Sequence, residues 1–207
     1  MSNIIRPDFQ NNSQNGNTQK TEPVPGYQLL LEITFSTPPI NRRIQVSGNI
    51  TLADLHEVIK TCFNWSDDYG HRFFVGKILY GPRSKNETTT SYDEAATRLH
   101  ELEEAMGFIF TYYYDAGSGW ECEITVEQLL PPTNTIEPPV FLDGEQATPP
   151  YQFIDIHEYQ AFLADLEVAE SGKRRRMLVD YNLASDFNPV YCDSEELALK
   201  VQHSIDH

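Results

Sequence analysis

Residues 27–65, YQLLLEITFSTPPINRRIQVSGNITLADLHEVIKTCFNW, decide how the remainder of the chain is read. Leu29, Leu31, Ile33 and Phe35 alternate at period two, the mark of a strand with one buried face. Pro38-Pro39 interrupts that strand, because proline has no N–H to give to a ladder. INRRIQV then resumes as a second strand, and a hairpin is the shortest connection. Thr51 caps a helix over 52–65, with Leu52, Leu55, Val58, Ile59 and either Cys62 or Phe63 as its apolar stripe. Asp54 falls in the first turn, where the helix dipole favours an acid. A hairpin followed by a helix that covers one face predicts an α+β fold with a mainly antiparallel sheet, a β-grasp-like start and helices packed on one face.

Working outward, HRFFVGKILYG (71–81) reads as a third strand ended by Gly81-Pro82. Residues 92–105 read as a helix, with Ala95, Ala96, Leu99 and Leu102 at helical spacing. Phe108, Phe110, Tyr112 and Tyr114 share one side of a further strand; Trp120, Cys122, Ile124 and Val126 share one side of the next. Gly117 and Gly119 supply positive backbone angles for the bend between them, and Trp120 faces the core. Six prolines between Pro131 and Pro150 predict an ordered surface loop in place of regular structure. Asp155 opens an acidic helix, Phe187-Asn188-Pro189 is a turn, and Ser194 caps a short last helix. Residues 1–26, rich in Asn, Gln, Ser and Thr, read as a disordered arm; 27–170 as one α+β domain; 171–207 as a helical extension packed on it.

The formal net charge is -16, unevenly placed. From Leu99 to Gly172 there are 74 residues without Lys or Arg and with 15 Asp and Glu, followed at once by Lys173-Arg174-Arg175-Arg176. Such a surface repels phosphate backbones and favours a basic protein partner, including one that itself binds nucleic acid. Glu101, Glu103, Glu104, Glu121 and Glu123 are the candidate docking carboxylates. The plainer alternative is a solvated acidic surface. No apolar run approaches the roughly 18 residues of a membrane span, and the N-terminus has no signal-peptide pattern, which predicts a soluble, cytoplasmic protein. Cys62, Cys122 and Cys192 are too widely spaced for a zinc site and fit reduced thiols.

Four segments, taken in order, carry a resemblance: PPINRRIQVSGNITLADLHEVIKTCFNW, HRFFVGKILYG, YYYDAGSGWECEI, and VFLDGEQATPPY followed by IHEYQAFLADL. Together they resemble the Ri-plasmid ORF-three-like family, which also occurs as a passenger gene of insertion sequences under a resolvase-type label. The resemblance implies the α+β fold and an origin on plasmid or mobile DNA, and it carries over no activity. Ser118 and Cys122 stand where that family usually shows Asp and His, and Phe141 and Thr148 where it usually shows Cys. Tyr151-Gln152 replaces an acidic pair and Asn41 a Trp. If relatives use those side chains to bind metal, most of the ligands are gone from this chain.

Candidate chemistry is sparse. His56 has the residue type of a general base, and equally that of a half-buried helical histidine bonded to a neighbour. His71 follows Asp67-Asp68, a metal-ligand pattern and also an ordinary solvated turn. Asp115, Glu121, Asp143 and Glu145 are the carboxylates that a divalent cation would need, provided the 115–121 bend and the 142–145 turn meet. Otherwise Asp115 braces its own turn, and Gly144 gives the next one its backbone freedom. Serine recombinases need an activated serine among arginines, which this chain does not group. GxxxxGK[ST], HExxH and GxSxG are absent. The leading expectation is a non-enzymatic interaction protein without a cofactor. The alternative is a metal-assisted hydrolase or recombination accessory built around Asp115 and Asp143.

Overall fold

The computed structural model describes residues 23–65, 69–83, 91–102, 105–114, 119–133, 135 and 137–205. One sheet of eight strands organises these residues, in the order β5-β4-β3-β6-β7-β1-β2-β8. At its centre β1 (Val24–Ile33) pairs antiparallel with β2 (Asn41–Ser47) and with β7 (Trp120–Thr133). Tyr27, Leu29, Leu31 and Ile33 are buried while Gln28, Leu30 and Glu32 are half-exposed, as the alternation predicts. Phe35, expected on the same buried face, instead lies past the end of the strand at φ 64° and is 69% exposed. The strand starts at Val24, so residues 24–26 belong to the sheet and not to an arm; residues 1–22 lie outside the described part.

α1 (Leu52–Cys62) lies against the core face. The Thr51 side chain accepts from Asp54 N, and its hydroxyl donates to Asp54 Oδ2. Leu52, Leu55, Val58 and Ile59 are fully buried, each contributing about 1.5–3 kcal/mol of burial. Asn64, at φ 48°, turns the chain away after the helix. A hairpin followed by α1 on one face of a nearly antiparallel sheet is the α+β arrangement the opening stretch predicts.

Other local expectations fail, for local and for tertiary reasons. HRFFVGKILYG is two strands, β3 (His71–Val75) and β4 (Ile78–Gly81), folded about Gly76 at φ 60°. Residues 92–105 do not form the expected helix. Tyr92–Asp93 is a short strand, β5, parallel to β4, and Leu99–Glu101 is a single 3-10 turn. The segment is bound across to residues 48–52 through Leu52 N to Thr97 O, Leu99 N to Ile50 O and His100 N to Gly48 O. Those bonds to a segment distant in sequence take the place of the intrahelical ones that the local spacing anticipates.

The proline-rich stretch is also more regular than expected. β7 continues through Pro131-Pro132 to Thr133, and β8 (Val140–Glu145) forms an edge on β2. The prolines are tolerated because β6 (Ile109–Tyr114) pairs no further than Thr125, and the β1 ladder shifts register between Val24 and Gly26.

Three helices follow: α2 (Ile156–Val168), capped by Asp155; α3 (Ser171–Asp180), which carries the basic run; and α4 (Ser194–Gln202). Asp193, not Ser194, caps α4, its side chain accepting from Glu196 N. α4 packs on β8 and α1. Leu178, Leu197 and Val201 join the same hydrophobic core as the strands. Among the described residues no helix is long and apolar enough to cross a membrane.

Candidate functional site

On the covered face, α1 brings His56 against His71 at the start of β3. Their ring centroids are 3.5 Å apart with planes 4° from parallel. His71 Nε2 donates to the Glu94 carboxylate at 3.0 and 2.9 Å, and His56 Nδ1 lies 2.7 Å from the Tyr112 hydroxyl. Burial first, then the neighbouring His71 and Lys60, hold His56 to a pKa of about 3. Burial raises the Tyr112 phenol, which stays protonated and can donate to the neutral imidazole. Glu57 stands 3.5 Å from the other ring nitrogen of His56.

Glu94 is the member that sequence reading misses. A helix over 92–105 would have left it on an exposed turn, whereas it is 5% exposed. The cluster ties together α1, β3, β6 and the chain after β5. A recess of about 70 Å³, bounded by His71, Arg72, Gly81 and Tyr113, adjoins the cluster at His71.

The acidic and histidine candidates do not converge. Glu121 and Asp143 are on the opposite, open face from the histidines, and three strand spacings, roughly 14 Å, lie between β7 and β8. Asp143 is engaged by Arg43 Nη1 at 2.6 Å, and Arg43 also clasps Glu127 at 2.6 and 2.9 Å. The side-chain bond to Glu127 is the largest cause of the raised Arg43 pKa, and Arg43 in turn lowers the Glu127 carboxyl. Glu145 is exposed at the end of β8. Asp115, Gly117, Glu103, Glu104, Asp67 and Asp68 lie outside the described residues. Among the described residues no three His, Cys, Asp or Glu side chains are placed to hold a metal ion.

Gly144 has a different role from the one its turn suggests. A Cβ there would stand 2.8 Å from Arg42 Cδ and 2.9 Å from Asn41 O. The glycine makes room for a buried arginine, which is 1% exposed. Arg42 donates to Cys62 O at the end of α1, to Asn41 O, to Glu145 O and to Thr148 Oγ1, and lies over the Phe63 ring. Gly119 has the expected positive φ, 95°, and a Cβ there would overlap the Tyr113 hydroxyl. Trp120 is buried as expected. The three cysteines are free thiols; burial pushes Cys62 up to about 12 and raises Cys122.

The open face of the sheet carries Glu32, Glu121 and Glu123. Glu32 and Glu123 are direct cross-strand partners, and no described Lys or Arg is within ion-pair distance of any of the three. Burial, then Glu123, raises the Glu32 pKa. Glu101 sits on the 3-10 turn beside the β2–α1 connection, away from these strands, and its carboxylate accepts from Arg98 N.

A second feature lies where the residues after α1, the β6–β7 end of the sheet and the run 148–154 meet. It is a cleft of about 570 Å³ whose aromatic lining includes Trp65, Tyr69, Tyr114, Trp120 and Tyr151. The alternation of the last long strand puts Trp120 on the core face. It carries no sign that Trp65, from a different element, completes the group.

The fold and these features define an α+β protein with one eight-stranded sheet, helices on its covered face and an acidic open face. The chain belongs to the plasmid pRiA4b ORF-3-like protein family, whose model matches residues 25–196. It is 25% identical over 171 residues to the uncharacterized protein y4hQ of Sinorhizobium fredii, an alignment that spans 82% of this chain and 87% of that one. It is similar in structure to MM3350 of Methanosarcina mazei, a protein of unknown function. The TM-score is 0.71 at 27% identity, covering 83% of this chain and 97% of that one.

Proposed function

We propose that this protein is a non-enzymatic interaction protein that docks a basic protein partner through the acidic face supplied by its Lys/Arg-free stretch, residues 99–172. The observation that carries the reading is the pairing of Glu32 with Glu123 on the open sheet face, beside Glu121. Like charges directly opposite on a sheet are destabilising. The same face neutralises Glu127 and Asp143 with Arg43, whereas among the described residues no ion pair engages Glu32, Glu121 or Glu123. A basic partner would supply the missing countercharge. Charge would steer the encounter, and exposed aromatic side chains would hold the complex. The acidic surface disfavours direct nucleic-acid binding, and leaves open a partner that itself binds nucleic acid.

The test is recovery of partners from nuclease-treated host extract on the immobilised protein, at low and high salt, beside the double variant Glu121→Lys/Glu123→Lys. A basic protein that is retained at low salt, shed at high salt and lost with the variant supports the reading. Equal recovery by wild type and variant overturns it.

A further inference from the structure

Both tryptophans of the chain, Trp65 and Trp120, line the 570 Å³ cleft. Trp65 stacks on Tyr114 with centroids 4.7 Å apart and planes 6° from parallel, and Trp120 is 6.5 Å from Trp65 at 37°. Tyr69 meets Tyr114 edge-on, and Tyr151 stands 83% exposed at the margin. Among the described residues none of the lining side chains is charged; Asn64, Thr148, Gln152 and Asn182 are the polar ones. Gln152 Oε1 is buried with no hydrogen-bond donor. The lining residues between Tyr114 and Ile154 all belong to the stretch without Lys or Arg, in a chain of net charge -16.

We infer that this cleft binds an arginine side chain presented by an extended basic segment of the partner. The inference rests on the docking reading and deepens it by naming the anchor. Aromatic faces and a negative overall field attract a cation and repel phosphates and carboxylates. Among cations the guanidinium fits best. It is planar, stacks on aromatic rings and is more weakly hydrated than an ammonium, so it loses less on leaving water for an aromatic cleft. Its several N–H donors match the amide and hydroxyl oxygens of the lining. A turn about the terminal torsion of Gln152, which is broad for an amide, would bring Oε1 to such a donor and satisfy an atom otherwise left without one.

The experiment uses the full chain and three capped peptides of one length, in which Gly-Ser units separate arginines, lysines or citrullines. Citrulline keeps the shape of arginine and removes the charge. Tryptophan emission reports on the cleft, because both fluorophores are in it, and calorimetry reports on binding anywhere. We expect a saturable emission change with the arginine peptide at low salt. Lysine should bind about fivefold and citrulline about tenfold more weakly. Tyr151→Ala, a change at an exposed side chain, should weaken the arginine peptide about fivefold.

Equal titration by the arginine and citrulline peptides would mean a cleft for neutral ligands and overturns the inference. Calorimetric binding without any emission change would place the basic peptide elsewhere, which overturns the cleft assignment and leaves the docking reading standing. Unaltered affinity in Tyr151→Ala also counts against it. Failure of the docking reading is seen separately, as equal partner recovery by wild type and Glu121→Lys/Glu123→Lys.

Discussion

His56 and His71 lie face to face at 3.5 Å, one from the first helix and one from the third strand, and each is held from its edge by a different partner, Tyr112 and Glu94. This pair is where α1 is bonded to the half of the sheet formed by β3 and β6.

Burial of His56, with His71 beside it, sets a pH dependence. His56 has a folded pKa of about 3, below the ordinary value near 6.5. The unfolded chain therefore takes up this proton first, and the stabilisation is fully present above about pH 6.5 and lost as pH falls toward 3. One such proton gives a slope of about 1.4 kcal/mol per pH unit within that window. Denaturant midpoints measured from pH 7.5 to 4 should fall more steeply for wild type than for His56→Gln, and parallel curves would refute the assignment.

Arg42 and Gly144 are complementary in shape. Gly144→Ala places a methyl group against both Arg42 Cδ and a backbone carbonyl, and should cost about 1–3 kcal/mol. Arg42→Met removes the donor to Cys62 O, Glu145 O and Thr148 Oγ1. The loss should be about 2–5 kcal/mol because buried acceptors are left unpaired. Thermal and urea unfolding of the two single variants and the double variant would measure this, with non-additive losses expected because the groups touch.

Glu123→Gln should raise stability at neutral pH by a few tenths of a kcal/mol, since it removes a like charge placed directly opposite Glu32. The sign follows from the Glu32 pKa, which Glu123 helps to raise. The gain should fade on acidification, when Glu32 is protonated in both proteins. A stability loss at pH 7 would show that Glu123 has a partner other than Glu32.

Thr51→Ala removes the side chain that accepts from Asp54 N and donates to its carboxylate. A loss of about 1 kcal/mol is expected from urea unfolding. Asp155→Ala should act similarly at α2, where Asp155 Oδ1 accepts from Glu158 N.

The sequence by itself determined which side chains are buried in the best-patterned elements. Alternation in β1, β6 and β7 and the 3.6-residue spacing of α1 are local properties, and burial of one face follows from them wherever the partner surface lies. Asp155 capping α2 and the core position of Trp120 were legible for the same reason. Residues 92–105 and 131–133 were misread because hydrogen bonds to residues distant in sequence outweighed the local preferences of alanines and prolines. Only the tertiary structure could decide that His56 stacks on His71 with Tyr112 and Glu94 at their edges, that Asp143 belongs to Arg43, and that Gly144 makes room for Arg42. It alone decided that Trp65 closes a cleft with Tyr114 and Tyr151. Each is a meeting of residues tens of positions apart, fixed by strand order and by where helices cross the sheet, and neither carries a short-range signal in the chain.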